Sequence, residues 1–174
     1  MKRGVVLLVL CLQYMIAYPQ LYTSGIGLRA GKFNSGITFK HLFDVDNATG
    51  MQIDLYYTHI ADNGYTLKGF YFRQQPFKVP IIQLPLDLIY GAGLHVGYFP
   101  LKTTGYYKIV NEDPVFYGKD VFTMGVDATV QLEYKIPVKK VPFIVSFDCT
   151  PFYEFVNRGP EFIDFGLSIR YVFR

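Results

Sequence analysis

The residues best suited to chemistry in this chain are one imidazole and three carboxylates, His95, Asp87, Asp127 and Asp148, each on the polar face of a segment that reads as an extended strand. A carboxylate that orients an imidazole prepares a general base, and several carboxylates beside a histidine also suit a divalent metal. The same faces carry Arg29, Lys40, Asp54, Glu133 and Arg170. Charges withdrawn from water persist when each is paired and hydrogen-bonded, so an interior network of paired charges accounts for all nine residues more economically than a reaction centre. Ser146 or Ser168 with His95 and a carboxylate would resemble a lipid-acyl hydrolase site, but both serines share the polar faces and lie away from a lipid-accessible rim. There is no Gly-x-Ser-x-Gly elbow, no His-Glu-x-x-His and no paired-cysteine spacing. Gly25, Gly27, Gly31 and Gly91, Gly93, Gly97 share a spacing that matches no nucleotide loop. His41 and His59 sit on apolar faces near strand ends and read as interfacial. The expectation is therefore no catalytic, cofactor or metal site.

The elements that hold these residues are two-faced strands. From Val121 to Ile136, Phe122, Met124, Val126, Ala128, Val130, Leu132 and Tyr134 alternate with Thr123, Gly125, Asp127, Thr129, Gln131, Glu133 and Lys135. In the last segment Ile163, Phe165, Leu167, Ile169, Tyr171 and Phe173 oppose Asp164, Gly166, Ser168 and Arg170. Period two is the signature of a strand with one apolar face. Eight such segments are expected, at 24–33, 35–44, 51–61, 65–74, 84–99, 120–136, 141–154 and 162–174. In the fourth, Leu67, Gly69 and Tyr71 are set against Lys68, Phe70 and Phe72. Turns are expected at Asn34-Ser35-Gly36, Asp46 to Gly50, Asp62-Asn63-Gly64 and Pro137 to Pro142, with one long connection from Pro100 to Lys119. Several segments exceed the usual five or six residues of a soluble strand and reach the roughly nine to eleven that cross a bilayer at a tilt.

Residues 1–20 read as an export signal: Lys2 and Arg3, an apolar stretch from Gly4 to Leu12, and Met15-Ile16-Ala17 before the cut. Residues 21–174 then form one domain. Of 17 Lys and Arg against 14 Asp and Glu, the signal removes two bases, which leaves a balance of +1. Nothing in that charge or its distribution argues for nucleic acid. Cys149 is then the single thiol, so no internal disulfide framework supports the domain.

Eight alternating strands joined by turns suit an antiparallel up-and-down sheet closed on itself, which removes every free edge. Closure is obligatory in lipid, where an unpaired backbone group costs several kcal/mol. A soluble ligand-carrying barrel alternates too, with the faces exchanged. The polar set favours the membrane barrel, because it is rich in glycine beside mixed charges rather than in Lys and Glu, as suits a narrow interior, and the soluble ligand carrier stays as a further alternative. Tyr90, Tyr98, Tyr134 and Tyr171 are expected near strand ends as an interfacial girdle.

The run Tyr90 to Gly97, the segment Gly125-Val126-Asp127 leading to Leu132-Glu133-Tyr134-Lys135, the stretch Ser146 to Pro151 and the ending Gly166 to Phe173 resemble the small outer-membrane β-barrel proteins of Gram-negative bacteria. The resemblance implies an eight-stranded transmembrane β-barrel in the outer membrane. It further implies insertion by the barrel assembly machinery, which recognises an aromatic C-terminal strand, here Tyr171 and Phe173 with Arg174 following. The expected role is structural or surface-interacting, as a monomer whose partners are outer-membrane lipid, the assembly machinery and an extracellular ligand or surface. A narrow pore, and more remotely a lipid-modifying enzyme, are the alternatives. If the termini face the periplasm, the connections near 34, 62, 100–119 and 155–161 face outward.

Overall fold

The computed structural model describes residues 22–44, 46, 48–59, 63–79, 82–102, 119–136, 142–157 and 163–173. The expected export signal, residues 103–118 of the long connection, residues 137–141 and Arg174 lie outside the described residues. Eight strands follow in order: β1 (Ser24–Gly31), β2 (Asn34–Asp44), β3 (Thr49–Thr58), β4 (Gly64–Val79), β5 (Ile82–Lys102), β6 (Lys119–Lys135), β7 (Phe143–Val156) and β8 (Ile163–Phe173). Each pairs antiparallel with its neighbours in the chain, and β1 closes on β8 from Ser24↔Phe173 to Gly31↔Gly166. The result is a closed, eight-stranded, up-and-down barrel. No helix occurs among the described residues.

Alternation in sequence becomes alternation in burial. In β3, Met51, Ile53, Leu55 and Tyr57 are exposed while Gln52, Asp54, Tyr56 and Thr58 are buried. In β8, Phe165, Leu167, Ile169 and Tyr171 are exposed while Asp164, Gly166, Ser168 and Arg170 are buried. Lys68, Phe70 and Phe72 of β4 point inward and Leu67, Gly69 and Tyr71 outward.

Three local expectations change. Asn34, Ser35 and Gly36 form no turn; they begin β2 and pair with Thr58, Tyr57 and Tyr56, and the chain reverses at Lys32-Phe33 instead. The Asn34 amide is committed to the interior, donating to Asp164 (3.1 Å) and accepting from Thr58 (2.6 Å). Gly50 and Gly64 likewise belong to strands, pairing with Phe72 and Thr58, and an inward Cβ at either position would collide with Phe72 or Phe99 respectively. Tyr90 stands well inside β5 rather than near its end.

Inside the barrel, apolar residues gather at the end that carries the termini, where Tyr22, Leu42, Phe72, Ile89, Ile144 and Val172 form one buried cluster. Phe99 and Val121 are buried toward the opposite end of β5 and β6. Polar groups occupy the space between.

Candidate functional site

The lumen holds all nine charged residues singled out from the sequence, each 7% exposed or less. They are divided among three neighbourhoods. Near the termini, Asp87 accepts from Lys135 Nζ (2.6 Å) and from the Gln74 amide (2.6 Å). Directly above, Lys40 Nζ donates to Glu133 Oε2 (2.9 Å), to the Tyr22 hydroxyl (2.7 Å) and to Gln74 Oε1 (2.9 Å). Tyr22 in turn donates to Glu133 Oε1 (2.5 Å). The ammonium also lies 4.9 Å from the Phe72 ring centroid, within cation–π range. A charge fully removed from water is thus met on every side.

In the middle of the barrel Arg170 donates to Ser146 Oγ (2.9 Å), to Thr38 Oγ1 (3.3 Å) and to Gln52 Oε1 (3.4 Å), with Glu133 at 3.7 Å. Gln52 donates onward to Asp54 Oδ2 (2.8 Å) and accepts from Gln131 (3.0 Å). Toward the opposite end, Arg29 grips Asp148 through two nitrogens, Nη2 (2.6 Å) and Nε (3.0 Å), and turns Nη1 to Asp164 (2.9 Å). This two-pronged geometry is the strong form of a guanidinium–carboxylate pair. Asp127 is shared by Lys68 Nζ (2.7 Å) and His95 Nδ1 (2.6 Å), while His95 Nε2 lies 3.7 Å from Glu154.

The geometry separates the residues that could have formed a reaction centre. Of the three carboxylates weighed with His95, Asp127 reaches it, Asp87 is tied to Lys135, and Asp148 is tied to Arg29. Ser146 is engaged by Arg170. Among the described residues no group of three or more His, Cys, Asp or Glu could hold a metal ion. His41 lies on the outer face with Nδ1 2.8 Å from Ser24 Oγ, and exposed His59 places Nε2 3.0 Å from the Lys32 carbonyl.

The lumen glycines are spaces for these side chains. A Cβ on Gly125 would stand 2.5 Å from His95 Cε1, and one on Gly166 2.5 Å from the Arg29 guanidinium carbon. The nine candidates did not include Tyr22, Lys68, Asp164, Glu154 and Lys135, which complete the pairs. The alternation had already put Asp164 and Lys135 on the polar faces and Lys68 opposite Leu67, Gly69 and Tyr71, without marking them as partners. Tyr22 precedes the first strand, where alternation says nothing, whereas Glu154 keeps the even parity of Ser146 and Asp148, since the register shift of β7 against β6 comes only after it, toward Val156.

A closed eight-stranded barrel with polar residues inside and an apolar wall outside defines a class of fold, that of the small outer-membrane β-barrels. Among solved structures the chain is similar to the N-terminal β-barrel domain of Pseudomonas aeruginosa OprF, with a TM-score of 0.61 and 13% identity over 87% of this chain and 98% of that one. It is also similar to Neisserial surface protein A (NspA), with a TM-score of 0.50 and 13% identity over 87% of this chain and 95% of that one. At this identity the likeness is one of fold. No family model matches the chain, and no curated protein does.

Proposed function

We propose that the chain is a monomeric outer-membrane barrel with a structural or surface-interacting role, without a reaction centre and with its lumen closed by its own side chains. One observation carries this reading, the inversion of the usual order of burial. Lys40 and Arg170 are 0% and 1% exposed, whereas Phe122, Leu94 and Leu28 are 66%, 64% and 63% exposed. Soluble monomers rarely expose apolar patches beyond a few hundred Å², and here apolar side chains line the outside of every strand. Hydrocarbon is the solvent that favours such a wall, because the closed sheet leaves no backbone edge unpaired across the span. Lipid is then the first partner. Tyr171 and Phe173, at 47% and 41% exposure on β8, are the residues offered to the assembly machinery.

The lumen supports the closed, non-catalytic part of the reading. Eight strands leave an interior just wide enough for side chains to fill. Here the space is taken by ion pairs in the middle and by Tyr22, Phe72 and Ile89 near one end. Two measurements test the proposal. The protein from a washed outer-membrane fraction should change electrophoretic mobility on boiling in detergent, and in planar bilayers it should give no discrete conductance steps. Recovery as a soluble protein with no shift would refute the location, and regular ion-selective steps would make the narrow pore the better reading.

A further inference from the structure

Strands β4 and β5 run past their neighbours at the end of the barrel that carries the termini. The β3–β4 ladder stops at Thr49↔Arg73, and the last bond on that side runs from the Gln74 N–H to the Ala48 carbonyl (2.8 Å). The β5–β6 ladder stops at Leu86↔Tyr134. The β4–β5 ladder continues beyond both, through Pro76↔Asp87 and Phe77↔Leu86 to Val79↔Ile82. A two-stranded ribbon therefore leaves the closed wall with two edges of its own, and an edge is a template for pairing with another chain.

Backbone groups in an antiparallel strand point alternately to the two sides. Because the Gln74 N–H points to the β3 side, position 76 points there too, past the last β3 partner. That position is Pro76, which has no N–H to offer. The other edge is built the same way. The Ile136 N–H bonds to the Phe143 carbonyl on the β7 side, so odd positions of β6, and the odd positions of β5 opposite them, face each other. The first β5 position of that parity beyond the ladder is Pro85. Among the described residues Pro76 thus holds the first donor position of β4 past its β3 partners, Pro85 stands opposite Lys135 where the β5–β6 ladder ends, and the sequence puts Lys78 at the next such position of β4.

We infer that Pro76 is an edge guard that keeps this ribbon from pairing with the same ribbon of a second copy, and so keeps the chain monomeric, while Pro85 marks where β5 parts from β6. Two copies related by a two-fold axis would lay β4 against β4 antiparallel, a self-complementary contact. The inference stands on strand register alone, so it can fail while the membrane reading survives, and the reverse.

The test compares the unaltered protein with Pro76→Ala, Pro76→Thr and Pro76→Ala/Pro85→Ala in detergent micelles, by light scattering after size separation. Heat-modifiable mobility checks that each variant is folded. The unaltered protein should stay monomeric, and both Pro76 variants should form dimers whose fraction rises with concentration. They should behave alike, because both restore the N–H with different side chains. Hydrogen exchange on the unaltered protein reads the same edge without a variant: the Lys78 amide should exchange as an open one. Monomeric Pro76 variants at every concentration, a dimeric unaltered protein, or a protected Lys78 amide would each overturn the inference.

Discussion

Replacing Lys40 by methionine tests whether the lumen is held by pairing or merely filled. The two side chains have similar length, so the change removes a charge and three hydrogen bonds while leaving little empty space. Lys40 and Glu133 are both 0% exposed, and removing one partner of a buried pair costs about 3–5 kcal/mol because the remaining charge stays buried without its counterion. Glu133 keeps the Tyr22 hydroxyl at 2.5 Å and the Arg170 guanidinium at 3.7 Å. The loss should therefore fall at the lower end, about 3 kcal/mol, which is more than a hundredfold in the unfolding equilibrium. Adding Glu133→Gln to Lys40→Met removes the charge Lys40 had balanced but also the carboxylate facing Arg170, so the double variant should lose less than the sum of the two singles without returning to the parent. The assay is reversible urea unfolding in lipid vesicles, read by heat-modifiable mobility and tyrosine fluorescence, for both single variants and the double. A Lys40→Met variant within about 0.5 kcal/mol of the parent, or strictly additive singles, would refute the argument, since contacting members of one network should couple.

Other predictions concern the wall. Leu167→Arg and Val126→Arg place a charge on the outer face, where it costs about 2–4 kcal/mol at the bilayer midplane; folding yields in vesicles equal to the parent's would contradict the facing. Gly125→Ala should destabilise by about 1–3 kcal/mol, because the new methyl group meets His95 and the Tyr153 carbonyl. Gly69→Ala, which meets nothing within 4 Å, should be neutral or stabilise by up to about 1 kcal/mol; matched urea titrations should therefore put Gly125→Ala below the parent and Gly69→Ala at or above it. Cys149, on the outer face of β7, should react in vesicles with a membrane-permeant maleimide and not with a charged one. Rapid labelling by the charged reagent would count against a lipid-facing β7.

The sequence and the structure agree where the physics is local. Period two assigns every residue of a strand to a face once one residue is assigned, so Asp127 and Val126 separate without any tertiary knowledge. Partners are another matter. Arg29 and Asp148 stand 119 positions apart, and Lys40 and Glu133 stand 93 apart, so parity places both members in the lumen without saying which meets which. His95 illustrates the limit: the sequence sets Asp87, Asp127 and Asp148 beside it as candidates, yet Asp127 is the one it bonds. Turn chemistry misled at Asn34 and Gly64 for a related reason. Asn and Gly favour turns through local backbone geometry, but a narrow lumen uses the same residues as a hydrogen-bonding amide and as room for a ring.

If the lumen is committed to its own side chains, any recognition of outside molecules belongs to the ends of the barrel. The strands are unequal in a way that bears on this. β1 has 8 residues and β3 has 10, close to the roughly nine to eleven that cross hydrocarbon, whereas β5 has 21 and β6 has 17. The surplus of β5 is divided between the two ends: the proline-edged ribbon with β4 at one, and its continuation to Lys102, paired with Lys119 of β6, at the other. That second extension carries residues 103–118. In the proposed membrane orientation this strand pairing would set the two ends of the connection beyond the hydrocarbon span. A surface role would then be read from the connection that β5 and β6 carry, and replacing residues 103–118 by a short turn should abolish it while leaving the heat-modifiable barrel intact.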